Sequence, residues 1–507
     1  MMNELIPIMV IIPLIAALLI SAFSKFNKVT KIFAFVVAIC LPIIPLLSNY
    51  GFHYFGGYEP ILDNVTNVVY HPAITYSFTS LQQIFIAALG LLTFLVVFVY
   101  LTKYKKVSGP YLFLLFLGTA AVTALLLTDD IFHMFVFFEI LALAQVGIVA
   151  ASSIDYSYEM ALKYMILGSI GSPIMLLGIG FLLALTGSVN ITDIVAAIHN
   201  GLVKPTSPVF LLSLGLIFFG WLYASGLPPF HTIKSGIYSK AEPHGAALLQ
   251  SFTVISMISI VLVMFRIYSV LPIFEVLIVF FSILAMILGV SLALTQTDFR
   301  RMIGFLAVGE LGFIGLGIGL GTNYAITAGL FQALNEIIIT ALLFIGFGAI
   351  VEATNEVDTR KLGGLLAYHP KVSIMLLIGG LAMAGVPPLS GFQSKLMLVQ
   401  ASLSCGFPEL SILAIMASIA TFVVFVKTFY AMFLKPKPAK LDVENKEVPR
   451  AMIFAMGVLL VIIVILGLYP DPIINGISTF VGGILWVYMI KSLMWLHNSG
   501  NCSLQVL

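Results

Sequence analysis

The chain has very little charge. Asp, Glu, Lys and Arg make up 9% of its 507 residues, and hydrophobic residues make up 61%. A soluble domain carries charges at about 25% of its positions, enough to cover its surface. This composition, with a mean hydropathy of +1.12, excludes a water-soluble globular fold. Cysteine is scarce as well. Cys40, Cys405 and Cys502 stand singly, which excludes CxxC pairs, zinc or iron–sulfur spacing and a disulfide framework. The net charge of +2 points to no polyanionic partner, and no basic–aromatic patch suggests nucleic acid. Walker, HExxH and GxSxG motifs are missing. "GLGIGLG" (315–321) lies within an apolar run and reads as close helix packing by small residues. The sequence therefore gives no reason to expect a cofactor, a metal or a redox or catalytic centre in this chain.

What is abundant is long apolar runs, each able to cross a bilayer as a helix. Fourteen are expected, at roughly 5–23, 31–49, 77–101, 110–128, 131–152, 160–186, 208–230, 241–268, 272–296, 301–320, 324–351, 372–401, 410–434 and 450–469. The first reads as a retained helix, since it contains Pro7 and Pro13 and has no basic flank before it. A further stretch, 473–490, either spans or lies at the interface, anchored by Trp486, Tyr488 and Trp495. The fold class is thus an all-α polytopic membrane protein. One set of alternate loops holds most of the basic residues: Lys25, Lys28, Lys31, Lys103, Lys105, Lys106, Lys163, Lys234, Lys240, Arg300, Arg301, Arg360, Lys361, Lys371 and those from Lys435 to Arg450. The other set holds Lys204, with Arg266 at a helix end. The positive-inside rule then puts the N-terminus outside a cell membrane.

Against this background the informative residues are charges deep within apolar runs. Glu139 lies about 12 Å into its run at 1.5 Å per residue. Glu310, Glu336 and Lys395 are similarly far from either end. Each costs about 2.5 to 3.5 kcal/mol on insertion scales, so the four together cost on the order of 10 kcal/mol, as much as a domain's net stability. They must pair, hydrate or be protonated. Glu310 and Glu336 sit on adjacent runs at similar depth, and they are expected within reach of each other or of a bridging water. Lys427 is near enough to its boundary to extend to the headgroups. Lys163 follows Glu159 by four residues, the spacing of an ordinary helical ion pair.

Two runs are interrupted in matching ways, at "GLPPF" (226–230) and "GVPPL" (385–389). Proline removes a backbone donor and frees carbonyls, which is tolerated at membrane depth only where protein or water covers the gap. Paired breaks in corresponding places of two halves mark repeat-built transporters, with the ion path at the break. Pro228, Pro229, Pro387 and Pro388 therefore locate two candidate sites. Lys395 follows the second break, and His231 follows the first as a candidate for proton handling.

Several stretches together resemble a known family, the antiporter-like subunits of respiratory complex I, Mrp-type sodium/proton antiporters and membrane-bound energy-converting hydrogenases. They are "FVFFEI", "ALKYMILGSIGSPIMLLGIGFLLALTGSVNITDI", "GLPPFH", "AEPHGA", "TDFRRMIGFLAVGELGFIGLGI" and "GVPPLSGFQSKLML", and the likeness covers roughly residues 75 to 470. The resemblance implies two inverted five-helix repeats, each with a broken helix, and a mid-membrane chain of titratable groups. It implies three N-terminal helices in 1–105, repeats in 106–270 and 271–435, and a C-terminal helix and tail in 436–507. Glu139 falls on the family's essential glutamate and Lys395 on its terminal-channel lysine. Glu310, Glu336 and His231 join them as ion-path candidates, with Lys163, Lys234, His244 and Lys427 as accessories. The chain also departs from the pattern. Ala224 stands where a lysine usually precedes the first break, and the next helix lacks its usual second lysine. Gln332, Glu336 and Thr340 replace the histidines and lysine of the eleventh helix, and Glu310 stands where His or Gln is common. On this reading the first half lacks the cation that would trade charge with Glu139, and Glu139 should matter less than Lys395.

Three functions remain open. The chain is an ion-translocating subunit of a redox-driven respiratory complex, moving protons or exchanging them for sodium. Alternatively it is a stand-alone Mrp-type cation/proton antiporter subunit, or a divergent spacer subunit with a partly lost channel. In each case its partners are other membrane subunits, including an antiporter-like or quinone-site-type one, and the lipid bilayer.

Overall fold

Hydrocarbon offers no water to backbone amides, so a spanning segment must satisfy them internally, as a helix does. Each apolar run named above is helical in the computed structural model, which describes residues 5–55, 61–63, 68–70, 74–268, 272–439, 441 and 447–492. The helices are α1 (Leu5–Ala22), α2 (Asn27–Leu47), α3 (Ser80–Lys103), α4 (Gly109–Leu127), α5 (Ile131–Ala150), α6 (Ser157–Thr186) and α7 (Ile191–His199). They continue with α8 (Pro208–Ser225), α9 (His231–Lys240), α10 (Pro243–Tyr268), α11 (Pro272–Thr295), α12 (Phe299–Gly319) and α13 (Asn323–Thr354). Last come α14 (Leu365–Tyr368), α15 (Pro370–Ala384), α16 (Ser390–Ser404), α17 (Pro408–Phe429), α18 (Arg450–Leu468) and α19 (Asp471–Ser492). Among the described residues 12 helices are long and apolar enough to cross a membrane.

Residues 231–240 and the connection from α2 to α3 differ from the sequence reading, and the expected breaks are present. The runs 208–230 and 372–401 are each two helices: α8 stops at Ser225 and α9 restarts at His231, and α15 stops at Ala384 and α16 restarts at Ser390. Residues 231–240, read as loop, are therefore helix. The connection from α2 to α3 holds β structure that an all-helical expectation does not include. There β1 (Gly51–Tyr54) pairs antiparallel with β4 (Thr75–Phe78), and β2 (Ile61–Asp63) pairs with β3 (Val68–Tyr70). The stretch 473–490 lies in α19, which docks on α3 where Ser80 Oγ donates to the Gly476 carbonyl at 2.6 Å. The side chains of Trp486 and Tyr488, and all of Trp495, lie outside the described residues.

The same order of features occurs twice. Asp130 caps α5 by accepting from the His133 amide, and Asp298 caps α12 by accepting from the Arg300 amide. Each capping residue also forms an isolated antiparallel bridge to the segment after the following long helix, Asp130 to Asn190 and Asp298 to Asp358. Each half then runs to a glycine at positive φ (Gly226 at 71°, Gly385 at 77°) and a cis Pro-Pro bond. Only glycine adopts that backbone conformation freely, which explains why Gly precedes both breaks.

The two halves differ in enclosure. Every residue of α12 from Met302 to Gly319, and of α13 from Ala325 to Ile350, is buried. Glycines make this possible: a Cβ on Gly317 would lie 2.6 Å from the Gly329 Cα, and one on Gly312 would lie 2.5 Å from the Ser282 carbonyl. "GLGIGLG" is thus a packing surface, as its small residues suggest. By contrast α5 and α6 turn large apolar residues outward, among them Phe132, Leu143, Leu162, Ile166 and Ile170.

Candidate ion-translocation site

At the second break the helix leaves carbonyls without their usual i+4 donors. Lys395 takes one of them. Its ammonium donates to the Met383 carbonyl at 2.6 Å and to Glu310 Oε1 at 2.7 Å, and it lies 4.4 Å from the centre of the Phe313 ring. Both partners are buried, with side chains 7% and 1% exposed. The other Glu310 oxygen accepts from Gln332 Nε2 at 2.7 Å. Gln332 Oε1 accepts from Ser394 at 2.5 Å, and Asn335 donates to the same hydroxyl at 3.1 Å. One turn along α13 from Gln332, Glu336 accepts from Gln250 of α10 at 3.2 Å. An open, mostly apolar recess of about 350 Å³ borders Lys395, lined by Phe313, Pro387, Phe392, Ile415 and Ile419 among others. Glu310 is thus joined directly to Lys395 and to Gln332, and Gln332 lies one turn of α13 from Glu336.

The first break is built alike. The Lys234 side chain, 2% exposed, lies across Gly226, so closely that a Cβ there would sit 2.3 Å from Lys234 Cγ. Lys395 crosses Gly385 in the same manner, with Cδ 3.1 Å from that glycine's Cβ position. The Lys234 ammonium donates to the Tyr164 hydroxyl at 3.0 Å and lies 3.4 Å from Gln145 Oε1. Tyr164 itself donates to Gln145 at 2.5 Å, and Tyr223 donates to the Tyr164 carbonyl at 3.2 Å. Lys234 therefore lies buried in α9 rather than in a solvent loop. Ala224 is a buried residue of α8, and Lys234 stands on the far side of the break. Glu139, on α5, is half-buried. Its Oε1 and the Nδ1 of His231 are buried without a hydrogen-bond partner among the described residues.

The family described as "NADH:quinone oxidoreductase/Mrp antiporter, TM" matches residues 128–421, a stretch that contains both breaks and all five ion-path candidates. The chain belongs to this family. An uncharacterized protein of Methanocaldococcus jannaschii is 36% identical over 94% of this chain and 97% of its own length. A Na(+)/H(+) antiporter subunit of Alkalihalophilus pseudofirmus is 24% identical over 93% of this chain and 95% of its own. Among solved structures, a chain of the membrane-bound sulfane sulfur reductase, an archaeal respiratory membrane complex, superposes with a TM-score of 0.84 at 24% identity, covering 96% of this chain and 99% of that one. The family membership read from the motifs and the polytopic helical fold are thereby established.

Other residues of this family member fall into place. Lys163 pairs with Glu159 at 2.5 Å on an exposed face of α6, and Lys427 is on the outward face of α17. His244 is fully buried at the start of α10, with Tyr100 and Tyr111 rings at 5.5 and 5.8 Å and no partner on either ring nitrogen among the described residues. Beside it is a cluster that the sequence reading does not anticipate. Lys103 bridges Glu352 at 2.6 Å and Glu242 at 3.4 Å, and Glu242 accepts from Ser153 at 2.5 Å. The signal for it is faint: each residue sits at a helix end, where a charge is unremarkable. Lys31, which donates to the Tyr104 carbonyl at 2.6 Å, and Lys240, which donates to that of Asp155 at 3.0 Å, come from the same set of basic loops.

Proposed function

We propose that this chain is an ion-translocating subunit of a multi-subunit, redox-driven membrane complex. It moves protons, or exchanges them for sodium, across a cell membrane with its N-terminus outside. The observation that carries the reading is the Lys395–Glu310 pair. A buried ammonium and carboxylate are costly, and a spacer would be as stable with apolar residues in their place. Here the pair stands at a helix break beside a recess and continues through Gln332 to the turn that bears Glu336. Such a chain passes a proton when a neighbouring charge moves, because each group's proton affinity depends on the charge of the next. Glu139, His231 and the residues around Lys234 form the corresponding site of the first half. The similarity to a sodium/proton antiporter protein along nearly its whole length supports a second reading, exchange without a redox partner.

The test is Lys395→Ala in the complex purified with its native membrane subunits and reconstituted into proteoliposomes. Translocation is abolished while assembly is kept. Wild-type translocation by the variant rejects the relay assignment. Neighbouring subunits of hydrogenase or iron–sulfur type in the purified complex support the redox-driven reading over the antiporter one.

A further inference from the structure

The first half of the molecule holds a buried cation to which the translocation scheme so far gives no proton-transfer step. Lys395 has a carboxylate at 2.7 Å. Among the described residues the Lys234 ammonium has only neutral polar contacts, the Tyr164 hydroxyl and the Gln145 amide oxygen, with the Tyr164 ring centre 4.9 Å away. A fully enclosed lysine without a counter-charge is expensive as a structural element, and a methionine would fill the same space at less cost. Its stem is nevertheless cradled on Gly226 as the stem of Lys395 is on Gly385, and both glycines stand at the same point before a Pro-Pro break. The two lysines therefore occupy equivalent places in the two halves, one with a carboxylate partner and one without.

The surroundings of Lys234 also lead somewhere. One turn further along α9, Tyr238 donates to Thr253 Oγ1 of α10 at 2.8 Å. Thr253 is three residues from Gln250, hence on the same face of α10, and Gln250 donates to Glu336 at 3.2 Å. Glu336 is one turn from Gln332, which holds Glu310, which holds Lys395. Every step from Lys234 to Lys395 is thus either a hydrogen bond or about one helical turn of 5.4 Å pitch. On the other side, Tyr164 and Gln145 connect Lys234 to α5, where Gln145 lies six residues from Glu139. The titratable group in contact with Lys234 is Tyr164 from α6; Tyr223 from α8 bonds the Tyr164 carbonyl, and Tyr238 lies one turn further along its own helix.

We propose that Lys234 is the proton-exchanging cation of the first half, and that the Tyr238–Thr253 pair is its connection to Glu336 and the second half. In one cycle the ammonium releases a proton toward one side and regains one from the other, so the residue returns to its starting charge. The proposal rests on the ion-translocating reading above, and its test separates the two.

The experiment compares Lys234→Met, Lys234→Arg, Tyr238→Phe and Lys395→Ala in the reconstituted native complex, reading proton movement with a trapped pH-sensitive dye. Methionine keeps the buried volume, so assembly should persist while proton movement falls by roughly a hundredfold. Arginine keeps a positive charge but does not release a proton at accessible pH, so it should not restore transport. Tyr238→Phe removes one oxygen from a ring that stays packed on Phe344, and it should slow transport by about tenfold. It decides the matter if the methionine variant fails to assemble. Wild-type transport by Lys234→Met, or rescue by Lys234→Arg, overturns the assignment of Lys234. Wild-type transport by Tyr238→Phe overturns the connection. If these variants are normal while Lys395→Ala is dead, only this inference fails. If Lys395→Ala is normal too, the ion-translocating reading fails with it.

Discussion

The Lys395–Glu310 pair makes a prediction that separates its energetic role from its functional one. At 2.7 Å and an effective dielectric of ~20, the Coulomb attraction is about 6 kcal/mol. Removing each ion from water costs several kcal/mol, so the two effects nearly cancel. The contacts to Met383, Gln332 and Phe313 then decide a small remainder. Lys395→Met leaves the Glu310 carboxylate buried with no cation, and Glu310→Gln leaves the ammonium without its anion. Each single change should cost about 3–5 kcal/mol. The double variant removes both charges, keeps the volume and leaves Gln332 an amide to bond, so it should return to within about 1 kcal/mol of the parent. The assay is SDS unfolding of the four proteins followed at the buried Trp221, analysed as a double-mutant cycle, with proteoliposome transport measured alongside. Stability should recover in the double variant and transport should not. Additive single costs would mean that the pair is not closed in the membrane. Recovery of transport together with stability would mean that no titratable group is needed there, which refutes the relay.

Two further predictions follow from the same geometry. Burial of Lys234 reverses the expectation that Glu139 matters less than Lys395: Glu139→Gln should reduce proteoliposome transport as severely as Lys395→Ala, and a variant with nearly normal transport would mean that the first half does not conduct. Gly467 of α18 packs directly on the second break, and a Cβ there would lie 2.2 Å from the Pro388 carbonyl and 2.8 Å from the Leu389 carbonyl carbon. Because that neighbour is backbone, Gly467→Ala should cost about 1–3 kcal/mol and displace Lys395 from Glu310, seen as lost transport in an assembled complex; unchanged stability would show that the break can yield.

What could be read from the sequence divides along a physical line. The membrane class, the helical runs and the two breaks follow from strong local rules: no water for the backbone in lipid, no amide donor on proline, and no steric bar to positive φ at glycine. Lys395 was legible for the same reason, since "GFQSKLMLVQ" continues into an apolar run that leaves its charge unexplained. Lys234 was not legible in that way. "HTIKSGIYSK" is polar and ends in a second lysine, so on local grounds it reads as the start of a basic loop. Its burial is imposed from outside, by α12, where a Cβ on Gly304 would lie 2.9 Å from the Ser235 Cα, and by α6, where Met160 presses on Gly236. No window of sequence contains those contacts. One non-local signal was available nevertheless. The two breaks match each other through Gly and Pro-Pro, and the helix that follows each break holds a lysine, Lys234 eight residues past Gly226 and Lys395 ten past Gly385. The Tyr238–Thr253 and Gln250–Glu336 contacts had no comparable signal. Neutral hydroxyls and amides are unremarkable in a membrane helix taken singly, and only their alignment across α9, α10 and α13 makes them a path.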